Sequence, residues 1–234
     1  MDAVVMAAGE GRRLRPLTER WPKPVLPIDG RPVLATLLRE LADAGAVRVF
    51  LVTGYLAEQV ERLAGDGSAF GLEVAAVRQP AVLGSADAVA RAIAGGARPP
   101  FLVSAADTVY RSGDVGAFAA AAAGADGAIA VRRDPPPGPG RRAIQVEAGR
   151  VAAIGGSGSL SGAPLWLVGE AVAARLCLDN EPYELENAFL AAIDAGATIS
   201  AIEIGTTRDL TYPADLVGEN FPYTSGLEAG GSAA

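Results

Sequence analysis

The chain has 234 residues, half of them hydrophobic, with 20 basic against 27 acidic side chains and a net charge of −7. That length buries one substantial core, and the acidic balance excludes a general nucleic-acid binder, which needs a basic face to displace counterions. Histidine is absent and Cys177 is the one cysteine, so Ser–His and Cys–His catalysis, histidine metal ligation and an intrachain disulfide are excluded as well.

Asp2–Met6 reads as a buried strand, followed by the loop A-A-G-E-G-R-R over 7–13. Arg31–Ala44 carries apolar residues at helical spacing (Val33, Leu34, Leu37, Leu38, Leu41), with Pro32 near its start and Gly45 at its stop. Val47–Val52 is a second strand, Leu56–Ala64 a helix and Leu72–Val77 a third strand. Ser85–Ala94 is helical, Phe101–Ala105 is a strand running into Asp107, Asp114–Ala123 is helical, and Ala128–Val131 is extended. Strands alternating with helices predict an α/β, Rossmann-like fold, a mostly parallel sheet with helices on both faces.

The rhythm breaks at Arg132–Arg142, where P-P-P-G-P-G fits neither a helix nor an inner strand. Ala143–Glu147 and Val151–Ile154 flank A-G-R as a hairpin, so 133–162 is expected to be a small β-hairpin and loop insertion. Leu165–Val168 is a further strand, helices follow near Glu170–Leu176 and Glu184–Ala195, and Thr198–Ile204 is the last strand. Residues 1–222 are read as a single domain, with a flexible tail over 223–234. No segment has the apolar length of a membrane span. The first residues enter a strand without the layout of a secretory signal. A cytoplasmic protein without membrane partners is expected.

Lysine occurs once, at Lys23 between two prolines, and every other basic residue is arginine. An ammonium is a compact point charge on a thin stem, whereas a guanidinium is a flat fork, so a site shaped for one phosphate oxygen takes the first and excludes the second. Arg12, Arg13, Arg15, Arg20 and Lys23 cluster within a dozen residues. A local positive site in an acidic protein suits a small anionic ligand. In M-A-A-G-E-G-R-R-L-R-P-L-T-E-R-W-P-K-P-V-L (6–26), a strand opens into a loop whose free amides can wrap phosphate oxygens. Gly9 and Gly11 have no side chain to block that approach.

Over more than twenty positions this stretch resembles the nucleotidyltransferases that join a nucleoside triphosphate to a sugar 1-phosphate. Their signature is a run like L-A-A-G-x-G-T-R-L-x-P-L-T followed by P-K-P. The resemblance implies that Ala7, Ala8, Gly9, Gly11 and Arg12 contact the nucleotide, that Arg13 grips the pyrophosphate end and that Lys23 meets the phosphates at the reacting centre. Arg12 departs from the pattern, standing where relatives have Ser or Thr.

Q-P-A-V-L-G-S-A-D-A-V (79–89) resembles the family's base-recognition segment, which implies nucleotide contacts from Gln79, Gly84 and Ser85. An amide such as Gln79 offers a donor and an acceptor side by side, matching the edge of uracil or thymine. UTP or dTTP is expected, although related forms occur in adenylyl-transferring relatives. Asp107, at the carboxyl end of a buried strand, sits where open α/β sheets bind ligands and matches the family's Mg²⁺-binding aspartate. In A-I-E-I-G-T-T-R-D-L (201–210), Glu203 takes the place of the family's second metal-binding aspartate.

One stretch departs further. Where many relatives carry a glutamate–lysine–proline motif that holds the sugar phosphate, this chain reads I-G-G-S-G-S-L (154–160). Glu184 and Asn187 are polar candidates for that vacancy and equally a solvated helix face; Trp166 with Tyr183 is the only hint of a choline cage. The resemblance implies attack by an acceptor phosphate on the α-phosphorus with loss of pyrophosphate. No general base is required, because a phosphomonoester has a second pKa of about 6. The expected partners are a nucleoside triphosphate and a sugar 1-phosphate, in a monomer or homodimer. Another phosphorylated acceptor (phosphocholine, inositol phosphate, a phosphonate) and a non-catalytic nucleotide sensor are the alternatives.

Overall fold

The apolar run Ala3–Val5 is fully buried because both faces of its strand, β1 (Asp2–Ala7), are covered. Ala3 and Val5 point into one helix layer and Val4 into the other. A computed structural model describes residues 1–133, 142–179 and 181–222. After β1 come β2 (Pro27–Ile28), β3 (Arg31–Pro32), α1 (Val33–Asp43), β4 (Arg48–Thr53), α2 (Ala57–Ala64), β5 (Glu73–Arg78) and α3 (Ser85–Ala94). The chain continues through β6 (Phe101–Ala105), β7 (Thr108–Val109), α4 (Asp114–Ala121), β8 (Gly127–Arg132), β9 (Ile144–Glu147), β10 (Arg150–Ile154) and β11 (Ser161–Val168). It closes with α5 (Glu170–Ala173), α6 (Leu185–Asp194), β12 (Ile199–Glu203), β13 (Arg208–Asp209) and α7 (Pro213–Asn220).

Nine strands form one sheet in the order β5-β4-β1-β6-β11-β8-β12-β10-β9. The first four are mutually parallel, and β8 and β12 are parallel to each other. Strand β11 runs antiparallel between β6 and β8. Helices α1, α2 and α4 cover one face through Leu34, Leu37, Leu41, Val60 and Phe118. Helices α3, α5 and α6 cover the other through Val89, Val172, Leu185 and Phe189.

The expected α/β sheet covered on both faces is therefore present, with four differences of detail. The hairpin β9–β10 does not stand apart: β10 pairs with β12 and extends the main sheet. Helix α1 begins at Val33 rather than Arg31, because Arg31–Pro32 pairs with Pro27–Ile28 across Asp29-Gly30, both at positive φ. Strand β11 starts at Ser161, inside the stretch read as loop, and Ser161 sits opposite Arg132. Helix α7 has no counterpart among the expected elements; Pro213 starts it, and the Asp215 carboxylate accepts from the amide of Tyr212. The P-P-P-G-P-G run and the tail over 223–234 lie outside the described residues. Among the described residues no helix is long and apolar enough to cross a membrane.

Candidate active site

From β1 the chain moves to β4 and β5 on one side, then crosses back to β6 on the other. The carboxyl ends of β1 and β6 thus flank a topological switch point, where open α/β sheets leave a crevice. A cleft of about 450 Å³ opens there. It is lined by Ala7, Gly9, Gly11, Arg12 and Arg13 from the loop after β1, by Lys23, and by Asp107 after β6. Seven residues singled out in the sequence, from three separate segments, are brought together.

The loop holds its shape through short-range contacts. Gly11 adopts φ 60 and ψ 39, a left-handed conformation costly for any residue with a Cβ. It leads into a 3-10 turn, Arg12–Leu14, whose Leu14 is buried against Leu26, Ile28, Val33 and Leu210. Buried Thr18 donates its hydroxyl to the Gly11 carbonyl at 3.0 Å, and Tyr55 donates its hydroxyl to the Thr18 carbonyl at 2.8 Å. The P-L-T part of the motif is thus a brace for the turn. A Cβ on Gly9 would meet no protein atom within 4 Å, so its open side belongs to the cleft.

The charges divide into three uses. Lys23 starts a 3-10 turn between Pro22 and Pro24, and its Nζ lies 2.7 Å from Asp107 Oδ2. Lys23 is 15% exposed and Asp107 37%, so the pair sits at the cleft wall. Arg12, 75% exposed, donates to the Glu10 carboxylate at 2.7 Å, and Arg15 stands 3.6 Å from it. The Arg12 guanidinium holds the Glu10 carboxyl below the usual carboxylate range. Arg12 thus lines the cleft while its charge is shared with Glu10. Arg13, exposed at the cleft, makes no ion pair among the described residues and is available to an anion.

The residues of the second stretch do not line this cleft. Gln79 is 3% exposed, and its Nε2 donates to Asp87 Oδ2 at 2.8 Å and to the Gly84 carbonyl at 3.1 Å. Its donor fastens the loop to α3, instead of lying open to a base edge. Gly84, at φ 125, leaves no room for a side chain: a Cβ would fall 2.4 Å from the Tyr183 carbonyl oxygen. Ser85 Oγ donates to Glu184 Oε2 at 2.7 Å and accepts from the Leu185 amide at 2.7 Å. Segment 83–86 is therefore clamped to the start of α6. Buried Ala8 lies beside the cleft, its carbonyl accepting from the Tyr55 amide at 3.1 Å.

Glu203 is not among the residues that line the cleft. It is 47% exposed at the end of β12 and forms a two-pronged pair with Arg133 at 2.8 and 2.9 Å. Strands β11 and β8 stand between β12 and β6, which sets the two strands roughly 14 Å apart. Sequence order placed both carboxylates at strand ends, and only the sheet order separates them. The donor set at the cleft still fits Mg²⁺, which takes one or two carboxylates and fills its octahedron with phosphate oxygens and water. Asp107 is the carboxylate that lines it.

Other contributors were not visible in the motifs. Leu210 and Thr211 reach the cleft because β13 pairs with β7, carrying the chain after β12 back beside Asp107. Gly54, after β4, lets the loop after β1 and the segment at Gln79 approach each other: a Cβ there would meet Ala8 Cβ at 2.9 Å and the Gln79 carbonyl oxygen at 2.8 Å. The position after a buried strand was its only sequence signal. Trp166 and Glu184 line a second cavity together, whereas Asn187 is solvent-exposed and Tyr183 engages loop 83–86 through its backbone.

A switch-point cleft with a glycine turn, an exposed arginine and a lysine–carboxylate pair belongs to an α/β protein whose cleft is chemically suited to an anion. The nucleotidyl transferase family matches residues 2–138, more than half of the chain, and the chain belongs to that family. It is 39% identical over 104 residues, 44% of this chain and 45% of the relative, to the N-acetylmuramate alpha-1-phosphate uridylyltransferase of Neisseria meningitidis serogroup B. It is 46% identical over 90 residues, 38% of this chain and 25% of the relative, to the mannose-1-phosphate guanylyltransferase of Mycobacterium tuberculosis. In these matches the chain spans less than half the length of the curated relatives. The solved inositol-1-phosphate CTP transferase from T. maritima shares the fold, with a TM-score of 0.80 at 20% identity over 100% of this chain and 98% of that one.

Proposed function

We propose that this chain transfers a nucleotidyl group from a nucleoside triphosphate to a phosphorylated acceptor of the sugar 1-phosphate type and releases pyrophosphate. The observation that carries the reading is the convergence of Gly9, Gly11, Arg13, Lys23 and Asp107 on one cleft at the sheet's switch point. The names of the relatives, which include uridylyl-, thymidylyl- and guanylyltransferases acting on sugar 1-phosphates, support it.

The free amides of the turn receive phosphate oxygens, and Arg13 takes the charge of the departing pyrophosphate. Lys23, fixed between two prolines, faces the reacting phosphates and offsets the repulsion between donor and acceptor. A phosphate nucleophile is already ionised near neutral pH, which suits a chain without histidine. Asp107 would hold Mg²⁺, and the bound ion would supply further charge neutralisation among the phosphates. Glu203 reaches that ion only by leaving Arg133. A pyrimidine triphosphate remains the favoured donor, read from the Gln79–Ser85 stretch; with the Gln79 amide engaged, backbone groups of that loop are left to read the base.

A second reading keeps the chemistry and changes the acceptor to a non-sugar phosphate ester or phosphonate. The glycine-rich 154–160 segment, without acid or lysine, favours it, as does similarity to a relative named 2-aminoethylphosphonate cytidylyltransferase. Pyrophosphate release, measured with UTP, dTTP, CTP, GTP and ATP against a panel of phosphorylated acceptors, tests both. Release with hexose 1-phosphates supports the first and release only with other acceptors the second; nucleotide binding without release from any pair overturns both in favour of a sensor.

A further inference from the structure

A second cavity of about 390 Å³ lies beside the cleft. Strand β11 runs antiparallel to β6 with Leu165 opposite Ser104. One more step of that register puts Pro164, a lining residue, next to Ala105 at the cleft. Tyr110, just after β7, donates its hydroxyl to the Pro164 carbonyl at 2.7 Å and ties the two walls together. On the other side Ser85, from the end of the nucleotide stretch, joins the lining. A phosphate seated in the cleft thus has this cavity available for the rest of its molecule.

The lining has a definite chemistry. Its charged groups are Glu184, Glu186 and Arg142, and half-buried Trp166 supplies an aromatic surface. Arg142 pairs with Glu186 at 3.0 Å. Glu184 has only the neutral Ser85 hydroxyl as a side-chain partner, and among the described residues no cation stands within ion-pair distance of it. One carboxylate charge is therefore left unbalanced inside a concave, partly desolvated space. Burial lifts the Glu186 carboxyl above the ordinary range, with Arg142 opposing and Glu184 adding to the lift. An additional anion on the acceptor would be repelled here. A cation would pair with Glu184 and lie against the Trp166 indole.

Resting on the nucleotidyl-transfer reading, we propose that this cavity selects an acceptor bearing a protonated amine beside its phosphate, such as an amino-sugar 1-phosphate. The site is built from α6, β11 and the start of α3, and it stands in for the glutamate–lysine contact that the 154–160 segment lacks.

Glucosamine 1-phosphate and glucose 1-phosphate differ by one amino group in place of a hydroxyl, so they isolate the charge. With the full chain and its preferred triphosphate, kcat/KM is expected to favour the amine at least tenfold. Glu184→Gln, which keeps an oxygen for the Ser85 bond, should cut that ratio at least fivefold, and Glu186→Gln should reduce it less because Arg142 already balances that carboxylate. An equal or greater kcat/KM for glucose 1-phosphate overturns the proposal, as does a preference that survives Glu184→Gln. Should neither acceptor release pyrophosphate, the sugar 1-phosphate form of the transfer reading has failed, and calorimetric titration of the two sugars into the nucleotide-loaded protein decides the amine selectivity by itself. Tighter binding of glucosamine 1-phosphate supports it, and equal or weaker binding overturns it.

Discussion

Lys23 and Asp107, 84 residues apart in sequence, meet at 2.7 Å in the wall of the cleft. The one lysine of the chain therefore neutralises the one carboxylate that, among the described residues, lines the cleft. An incoming cation and an incoming phosphate compete for opposite halves of that pair. On the proposed function, a metal–triphosphate complex would satisfy both halves together, whereas a free metal ion would meet an already compensated carboxylate.

Replacing Lys23 by Arg keeps the charge and changes its shape, since a planar fork cannot occupy the space of a single ammonium between two prolines. Turnover with saturating substrates should fall at least tenfold, about 1.4 kcal/mol in barrier. Parental turnover in this variant would refute the argument from shape. Lys23→Gln should also let nucleotide-free protein bind Mn²⁺ at least tenfold more tightly, because a cation next to Asp107 has been removed. Titration followed by electron paramagnetic resonance reads this without any turnover.

The two carboxylates named in the sequence should separate cleanly. Asp107→Asn removes the charge that lines the cleft and should lower kcat by about two to three powers of ten. Glu203→Gln only loosens an exposed pair with Arg133, a contribution of about 0–1 kcal/mol in stability, and should leave kcat within about threefold. A loss for Glu203→Gln comparable to that for Asp107→Asn would restore it to the metal site.

Thr18→Val tests the brace beneath the glycine turn. The substitution keeps the volume and deletes the hydroxyl that donates to the Gly11 carbonyl at 3.0 Å. That carbonyl still accepts from the Leu14 amide at 2.9 Å, so the expected loss of stability is about 1 kcal/mol. The KM for triphosphate should rise several-fold as the turn loosens. Denaturant unfolding and steady-state kinetics on one preparation measure both.

Glu186 gives the pH prediction. Burial raises its carboxyl above the usual 4.5, more than Arg142 lowers it, and Glu184 adds to the rise. The folded protein thus holds this proton more tightly than the unfolded chain does. The favourable contribution is complete below the unfolded value and is lost as pH climbs through the folded one. Thermal unfolding of wild type against Glu186→Gln should show the wild type losing ground immediately above pH 4.5. A wild type that gains on Glu186→Gln as pH rises would contradict the assignment.

Much of the site was legible because its chemistry is local. Gly9, Gly11, Arg12 and Arg13 lie in one loop after one strand, and the type of residue required at each point is visible in order. The element pattern was legible for a similar reason: the buried positions of α1 (Leu34, Leu37, Leu38, Leu41) repeat at helical spacing. The hairpin Pro27–Pro32 is not evident from the sequence despite its Asp29-Gly30 turn, since the helical pattern nearby masks a two-residue strand. Gln79 is a different case. Its amide suits a base edge chemically, but whether the donor is free depends on Asp87, one helical turn beyond the loop.

By itself, the order of residues determined that a glycine turn follows the first strand, that the cations gather there and that a carboxylate closes a later strand. Periodicity and local backbone preference are properties of neighbouring residues, so they survive in the linear chain. Only the folded molecule decided which distant groups share a space: that Lys23 falls on Asp107, that the strand bearing Glu203 lies roughly 14 Å from β6 in the order of strands, and that Glu184 and Trp166 line one cavity. Those distances come from how strands are shuffled within the sheet, and hydrogen bonding between strands is indifferent to how far apart their residues lie in the chain.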